Sequence, residues 1–264
     1  MSRITDIFLK RNQNKQKVNI AYITPEYPFA GLTVDLALML AQNNVQIIEI
    51  GVPFSDPLAD GPTIQNSSYH ALLKNVNLPR ILADVKNIRK QTDVGIVLMS
   101  YINPILSYGL DDFLSDCGES GVDGLIIPDL PVDEIDFIVD GIRASHIDLI
   151  LLAAPTSPLD RLKKIASHSC GFIYCVSVTG VTGIRKSDYI ENSTISFLEQ
   201  IKSVSKLPVA LGFGLSEKSQ LKKMWPYCDG FIIGSALIQS MEQAKNKKEA
   251  IKSAQNFIQK VFGD

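Results

Sequence analysis

The sequence predicts an α/β fold, a closed (β/α)8 TIM barrel with an extra N-terminal helix, and three observations carry that prediction. Short runs of apolar and β-branched residues alternate along the chain with segments of helical periodicity. The runs are apolar throughout instead of alternating with polar residues, as parallel strands covered on both faces require. Eight such units fit into 264 residues without a long insertion, a size typical of one closed barrel and unlike an open doubly wound sheet.

Taken in order, Ser2–Lys10 reads as the extra helix, and the polar link Arg11–Lys17 leads into the barrel. The strand-like runs are Val18–Ile23, Gln46–Ile50, Val94–Met99, Gly124–Ile127, Asp148–Leu152, Phe172–Val176, Pro208–Leu211 and Gly230–Ile233. Parallel neighbours cannot be joined by a tight turn, so each run needs a crossover helix before the next. Segments of helical period lie between the runs, for example at Val34–Gln42, Leu78–Arg89, Asp111–Ser120, Val132–Ala144, Leu159–Ser167 and Lys218–Trp225, and Ala236–Val261 would close the set. With no low-complexity stretch and no linker, residues 1–264 are expected to form a single domain.

Composition narrows the function. A net charge of −2 and a pI near 6.0 leave no electrostatic footprint for nucleic acid or an anionic membrane. Interrupted apolar stretches such as Ile147–Pro155 are too short to span a bilayer. The first residues, MSRITDIFLKR, carry charges where a signal peptide needs an apolar core, so a cytoplasmic location is expected. Cys117, Cys170, Cys175 and Cys228 show no CxxC spacing and read as reduced, buried thiols. His70, His146 and His168 fall in or near helices, so neither a metal site nor a Ser/His/Asp arrangement is expected. The run Lys245-Asn246-Lys247-Lys248 reads as a solvated helix face.

In this architecture chemistry sits where strands end and the following loops begin. Glu49 stands inside Ile47-Ile48-Glu49-Ile50-Gly51, an otherwise apolar strand. A buried acid costs on the order of several kcal/mol unless it is paired or protonated. Glu49 is therefore either a structural ion pair or a proton-transfer group with a tuned pKa. The loop that follows, residues 51–62, holds three prolines beyond strand two and two aspartates, Asp56 and Asp60. Either aspartate could cap the next helix, but Asp60 also offers a second carboxylate for an acid/base division of labour. Glycine-rich stretches follow the last three runs: Thr179-Gly180-Val181-Thr182-Gly183, Gly212-Phe213-Gly214 and Gly234-Ser235. Such loops expose backbone N–H groups to an anion, and the loops after strands seven and eight form the usual phosphate site of these barrels. Gly212-x-Gly214 lacks the third glycine of a dinucleotide fingerprint.

The segment Ile48-Glu49-Ile50-Gly51-Val52-Pro53-Phe54-Ser55-Asp56-Pro57-Leu58-Ala59-Asp60-Gly61-Pro62 closely resembles the signature of the tryptophan synthase α subunit family. Tyr101-Ile102-Asn103-Pro104, Pro128-Asp129-Leu130-Pro131, Ser177–Gly183 and Gly234-Ser235-Ala236 extend the resemblance, in order, over nearly the whole chain. The resemblance implies a lyase that cleaves indole-3-glycerol phosphate to indole and glyceraldehyde 3-phosphate by a retro-aldol reaction. It implies Glu49 as the proton-transferring group, which protonates the indole ring carbon and takes the proton of the glycerol hydroxyl. Asp60 is implied to stabilise the positive charge on the indole nitrogen. Gly183, Gly214, Gly234 and Ser235 match positions that hold the phosphate. Tyr22, Met99, Tyr101, Ile126, Tyr174 and Phe213 match or adjoin the indole pocket, and Thr182 matches a residue of a lid loop that reaches Asp60 on closure. No cofactor is implied in this chain. Pyridoxal phosphate is implied in a β-subunit partner of an αββα heterotetramer, which receives indole through a tunnel. Pro53, Asp56, Pro57, Asn103, Pro104 and Pro131 are implied to face that partner.

One stretch departs from the pattern. Where the family commonly carries Thr-Ala-Gly-Asp-Pro after the first strand, this chain has Thr24-Pro25-Glu26-Tyr27-Pro28, a stiffer loop on the catalytic rim. Two other readings stand beside the partner-dependent subunit: a free-standing lyase of the same fold, and a barrel that mainly regulates the partner. The intact pair Glu49 and Asp60 favours chemistry over regulation alone. Indole-glycerol-phosphate synthase shares the fold but lacks the Pro-Phe-Ser-Asp-Pro loop.

Overall fold

The computed structural model describes residues 1–176, 187–212 and 214–263. In chain order the elements are α1 (Arg3–Gln13), β1 (Val18–Ile23), α2 (Thr33–Gln42), β2 (Ile47–Gly51), α3 (Pro62–Leu72), α4 (Leu78–Arg89), β3 (Gly95–Met99), α5 (Ile102–Tyr108), α6 (Leu110–Ser120) and β4 (Gly124–Ile126). A 3-10 turn at Val132–Glu134 leads into α7 (Asp136–Ala144). Then come β5 (Asp148–Leu149), β6 (Leu152–Ala153), α8 (Leu159–His168), β7 (Ile173–Val176), α9 (Ser187–Val204), β8 (Val209–Gly212), α10 (Lys218–Met224), β9 (Gly230–Ile233), α11 (Ser235–Met241) and α12 (Lys247–Phe262).

All strand pairings are parallel, in the order β5-β4-β3-β2-β1-β9-β8-β7-β6. The two ends of that order are halves of one run. Ile150 N–H donates to Leu125 O at 2.9 Å on one side, and Leu151 O accepts from Tyr174 N–H at 3.1 Å on the other. The run Asp148–Ala153 thus closes the ring, and the predicted (β/α)8 barrel is the observed fold. The fifth predicted strand appears as two short segments because its backbone turns from one neighbour to the other at Ile150–Leu151.

Three further differences have local causes. Val132–Ala144 starts as a 3-10 turn, with Glu134 N–H donating to Pro131 O. Ala236–Val261 is two helices, because the Asn246 side chain accepts from Glu249 N–H and caps a new start. Helix α3 begins at Pro62 and α5 carries Pro104 in its first turn, where the missing N–H has no helical partner to lose. Prolines read as loop residues therefore open helices.

Side chains alternate between two layers. Ile20 and Tyr22 of β1, Ile47 of β2, Val97 and Met99 of β3 and Tyr174 of β7 point into the barrel. Ala21, Ile23, Ile48, Ile50, Ile96 and Leu98 point outward to the helices. Ile4 and Phe8 of α1, both fully buried, join the inner cluster, with Phe8 and Phe172 ring centroids 5.4 Å apart. The extra helix is thus a plug, and burying those two side chains contributes roughly 3–6 kcal/mol. The same alternation sends Glu49, two residues after Ile47, into the barrel interior.

Candidate active site

Glu49 sits on β2, 1% exposed, and neither carboxyl oxygen has a hydrogen-bond partner among the described residues. Among the described residues no cation pairs with it, which favours the proton-transfer alternative over a structural ion pair. Burial, and then the nearby Asp60, push its pKa up to about 8. At neutral pH the group is a buried, protonated acid.

Asp60 comes from the loop after β2. Burial raises its pKa to about 6 against the opposing effect of a hydrogen bond from Tyr101. The Tyr101 hydroxyl donates to Asp60 Oδ2 at 3.1 Å and accepts from Ala59 N–H at 2.9 Å, while its ring lies 5.2 Å from that of Phe54. The Asp60 carbonyl accepts from Gln65 Nε2 at 2.9 Å. Capping does not explain either aspartate: the N-cap of α3 is Gly61, with no side-chain cap bond. The two carboxyls therefore titrate apart, with Glu49 the acid and Asp60 the anion around neutral pH.

Both face one cavity of about 240 Å3 at the C-terminal ends of the strands. Tyr22, Ile64, Met99 and Tyr174 line it beside the carboxyls, and Gly214, Gly234 and Ser235 line it from the loops after β8 and β9. Two glycines make room for the tyrosines. A Cβ on Gly51 would stand 1.9 Å from the Tyr22 hydroxyl oxygen, and one on Gly212 would stand 2.7 Å from that of Tyr174. Burial raises both phenol pKa values, so both rings stay neutral.

Eight expected site residues thus converge: Glu49, Asp60, Tyr22, Met99, Tyr174, Gly214, Gly234 and Ser235. Tyr101 does not line the cavity and reaches it through Asp60. Ile126 is fully buried in the same inner cluster and is not among the lining residues. Thr182, Gly183 and Phe213 lie outside the described residues. Ala236 of the Gly234-Ser235-Ala236 motif lines the cavity too, as do Ile64, Leu215, Ser216, Ile232 and Gln239, which had not been singled out. Gln239 was within reach of sequence reasoning, since it lies one helical turn after Ser235. Its Nε2 donates to Thr63 Oγ1 at 2.9 Å, joining α11 to the first turn of α3.

The expected partner-facing residues lie outside the cavity. Asp56 and Asn103 line a second depression of about 520 Å3 together with Phe54, Leu58, Ala59, Tyr101 and Asp129. Leu58 is 92% exposed there. Pro57 and Pro104 are half-buried and Pro53 is buried. Pro131 lines an adjoining depression that shares Asp129, whose Oδ1 accepts from Ile102 N–H at 3.0 Å. Among the described residues no group of three His, Cys, Asp or Glu side chains is placed to hold a metal ion, and no helix is long and apolar enough to cross a membrane.

Comparison with known proteins shows the family and agrees with the fold. The family model described as tryptophan synthase alpha chain matches residues 8–262. The tryptophan synthase alpha chain of Carboxydothermus hydrogenoformans is 42% identical over 262 residues, covering 99% of this chain and 97% of that one. A solved alpha chain from Legionella pneumophila superposes with a TM-score of 0.89 at 31% identity, over 99% of this chain and 96% of that one. A structure described as the tryptophan synthase a2b2 complex of Pyrococcus furiosus gives 0.84 at 34% identity, over 94% and 98% of the two chains.

Proposed function

The chain belongs to the tryptophan synthase alpha chain family, and on that premise we propose that its Glu49 and Asp60 cleave indole-3-glycerol phosphate to indole and glyceraldehyde 3-phosphate. One observation carries the assignment: a buried carboxyl with no hydrogen-bond partner among the described residues faces the same cavity as a second carboxyl that ionises at lower pH.

The chemistry uses that difference. The carbon–carbon bond of the substrate breaks only after the ring has become an indolenine, so the ring carbon must receive a proton while the ring nitrogen carries positive charge. Protonated Glu49 supplies that proton, and ionised Asp60 accepts a hydrogen bond from the N–H and stabilises its charge. Glu49, now a carboxylate, takes the proton of the glycerol hydroxyl as the bond breaks. The aldehyde leaves as glyceraldehyde 3-phosphate, the ring as indole, and Glu49 is protonated again. Gly183, Gly214, Gly234 and Ser235 hold the phosphate, Phe213 belongs with the indole pocket, and Thr182 acts from the lid. The flat apolar walls Tyr22, Ile64, Met99 and Tyr174 hold the indole. No cofactor of this chain enters the reaction.

The whole chain acts as one cytoplasmic barrel unit beside a β subunit that carries pyridoxal phosphate. The rim with Pro53, Asp56, Pro57, Asn103, Pro104 and Pro131 is the docking face of the αββα assembly, and exposed Leu58 supports that choice. The deciding experiment measures indole release from indole-3-glycerol phosphate by the purified chain, alone and with a β subunit. Slow release that rises sharply with the partner is the expected result. Fast release alone would identify a free-standing lyase, and no release with a changed β-subunit rate would identify a regulatory barrel.

A further inference from the structure

The loop after β1 holds a buried carboxylate that the reaction does not use. Glu26 is 2% exposed and its φ is +61, a region that side-chain-bearing residues occupy only when the surroundings hold them there. The holding groups are all present. Oε1 accepts from Thr33 Oγ1 at 2.8 Å, and Oε2 accepts from Gly31 N–H and from Arg80 Nη2. Glu26 N–H donates to Thr33 Oγ1 at 2.9 Å, and its carbonyl accepts from Lys74 Nζ at 2.6 Å. Lys74 Nζ also reaches Pro28 O at 2.9 Å, and Arg80 Nη1 reaches Lys74 O at 3.2 Å.

This clamp fastens the loop along one stripe of α3. Tyr27 shares the buried cluster of Ile64, Thr24 Oγ1 lies 2.7 Å from Ser67 Oγ, and the Tyr27 ring centroid lies 6.1 Å from that of His70. Ile64, Ser67 and His70 recur every third residue and so form one helix face, and Lys74 follows just beyond its end. At its other end α3 begins two residues after Asp60, whose carbonyl is held by Gln65 of the same helix. A helix moves as a unit, so the seat of α3 sets where Asp60 stands relative to Glu49.

We propose that Glu26 is a positioning residue for Asp60, acting through the seat of α3. The proposal rests on the reading of Asp60 as one of the reacting pair. A merely structural Glu26 would change stability and leave Asp60 unaltered.

The test follows the Asp60 carboxyl carbon by NMR titration in the wild-type chain, Glu26→Gln, Arg80→Gln and Arg80→Lys, with kcat and KM for indole release measured alongside. Among the described residues Asp60 faces the titratable groups Glu49, Tyr22, Tyr101 and Tyr174, none of which these variants alter. Loosening α3 lets water reach Asp60, so in both Glu26→Gln and Arg80→Gln its pKa should fall toward the ordinary carboxylate range by roughly half a pH unit or more. In the same two variants kcat should fall about fivefold or more while KM stays within about twofold, because the geometry of the reacting pair is lost and the phosphate grip is kept. Arg80→Lys keeps the charge and should behave like wild type. Movement of Asp60 in opposite directions in Glu26→Gln and Arg80→Gln would mean a through-space charge effect and overturn the proposal. Lowered thermal stability with Asp60 and kcat unchanged would also overturn it. If Glu26→Gln does not fold, the two Arg80 variants decide, since that side chain is 40% exposed and removable from outside. A wild-type chain that releases no indole would refute the lyase reading, while the Asp60 titration would still decide the clamp.

Discussion

Replacing Glu49 by glutamine should abolish cleavage and, at alkaline pH, stabilise the fold. A group whose pKa is higher folded than unfolded has its favourable form everywhere below the unfolded value. Stability is lost as pH rises from there through the folded value. For Glu49 that window runs from the ordinary 4.5 to about 8. The carboxyl is 1% exposed, so solvent does not discount the effect. Between pH 5 and pH 9 its ionisation removes about 4 kcal/mol from wild-type stability. Glutamine does not ionise. Its amide is buried without the partners it needs, which costs about 1–3 kcal/mol, but equally at every pH.

The difference between variant and wild type therefore isolates the titration. At pH 5 Glu49→Gln should be less stable than wild type or equal to it, and by pH 9 the order should reverse. For a chain of this size the swing of about 4 kcal/mol corresponds to roughly 10 °C in Tm. The assay is thermal unfolding of both proteins at several pH values, with indole release measured on the same samples. A Tm difference that stays constant from pH 5 to pH 9 would refute the claim that Glu49 is held protonated. Substantial turnover by the variant would refute its catalytic role.

Other expectations follow from the same site. The pH profile of wild-type kcat/KM should be a bell, rising as Asp60 ionises near pH 6 and falling as Glu49 ionises near pH 8; a flat profile across that range would sink the acid/anion assignment. Asp60→Asn should cost several orders of magnitude in rate, and removing its charge should move the basic limb of any residual activity to lower pH; a loss of less than about tenfold, roughly 1.4 kcal/mol, would demote Asp60 to a structural residue. Tyr101→Phe deletes the hydrogen bond that lowers the Asp60 pKa, so the acid limb should move to higher pH. Gly51→Ala should lose activity and roughly 1–3 kcal/mol of stability. Tyr22→Phe should not rescue it, because ring carbons stand 2.4 and 2.6 Å from the new Cβ as well as the hydroxyl; a well-folded, active Gly51→Ala would show that the tyrosine does not need that space.

The barrel was legible because its strands are apolar on both faces and its helices are amphipathic, signals that survive without knowledge of any contact. What escaped was set by contacts. Nothing local distinguishes Leu149 from Ile150, and the break in the fifth strand comes from neighbours on opposite sides, at Leu125 and Tyr174. Helix α3 was hidden by a proline that is compatible with a first turn, and a pattern rule cannot tell a helix-opening Pro62 from the loop prolines Pro53 and Pro57.

The site divides along the same line. Glu49 was visible as an acid in an apolar strand, a local conflict that folding tolerates only for a reason. Asp60 stood out from Asp56 as the second carboxylate for an acid/base pair, although both lie in the loop after the same strand and either could cap a helix. The structure separates them further by what reaches each: Tyr101 and Glu49 for Asp60, and, for the Asp56 side chain among the described residues, its own loop's Ser55. Glu26 had the weakest sequence signal and the densest set of partners, since its donors come from Gly31, Thr33 and Arg80, up to 54 residues away. A carboxylate that reacts must be left partly unsatisfied, and one that positions must be fully satisfied. Sequence reveals the first kind through the conflict it creates, whereas the second becomes visible only when its partners are brought together by the fold.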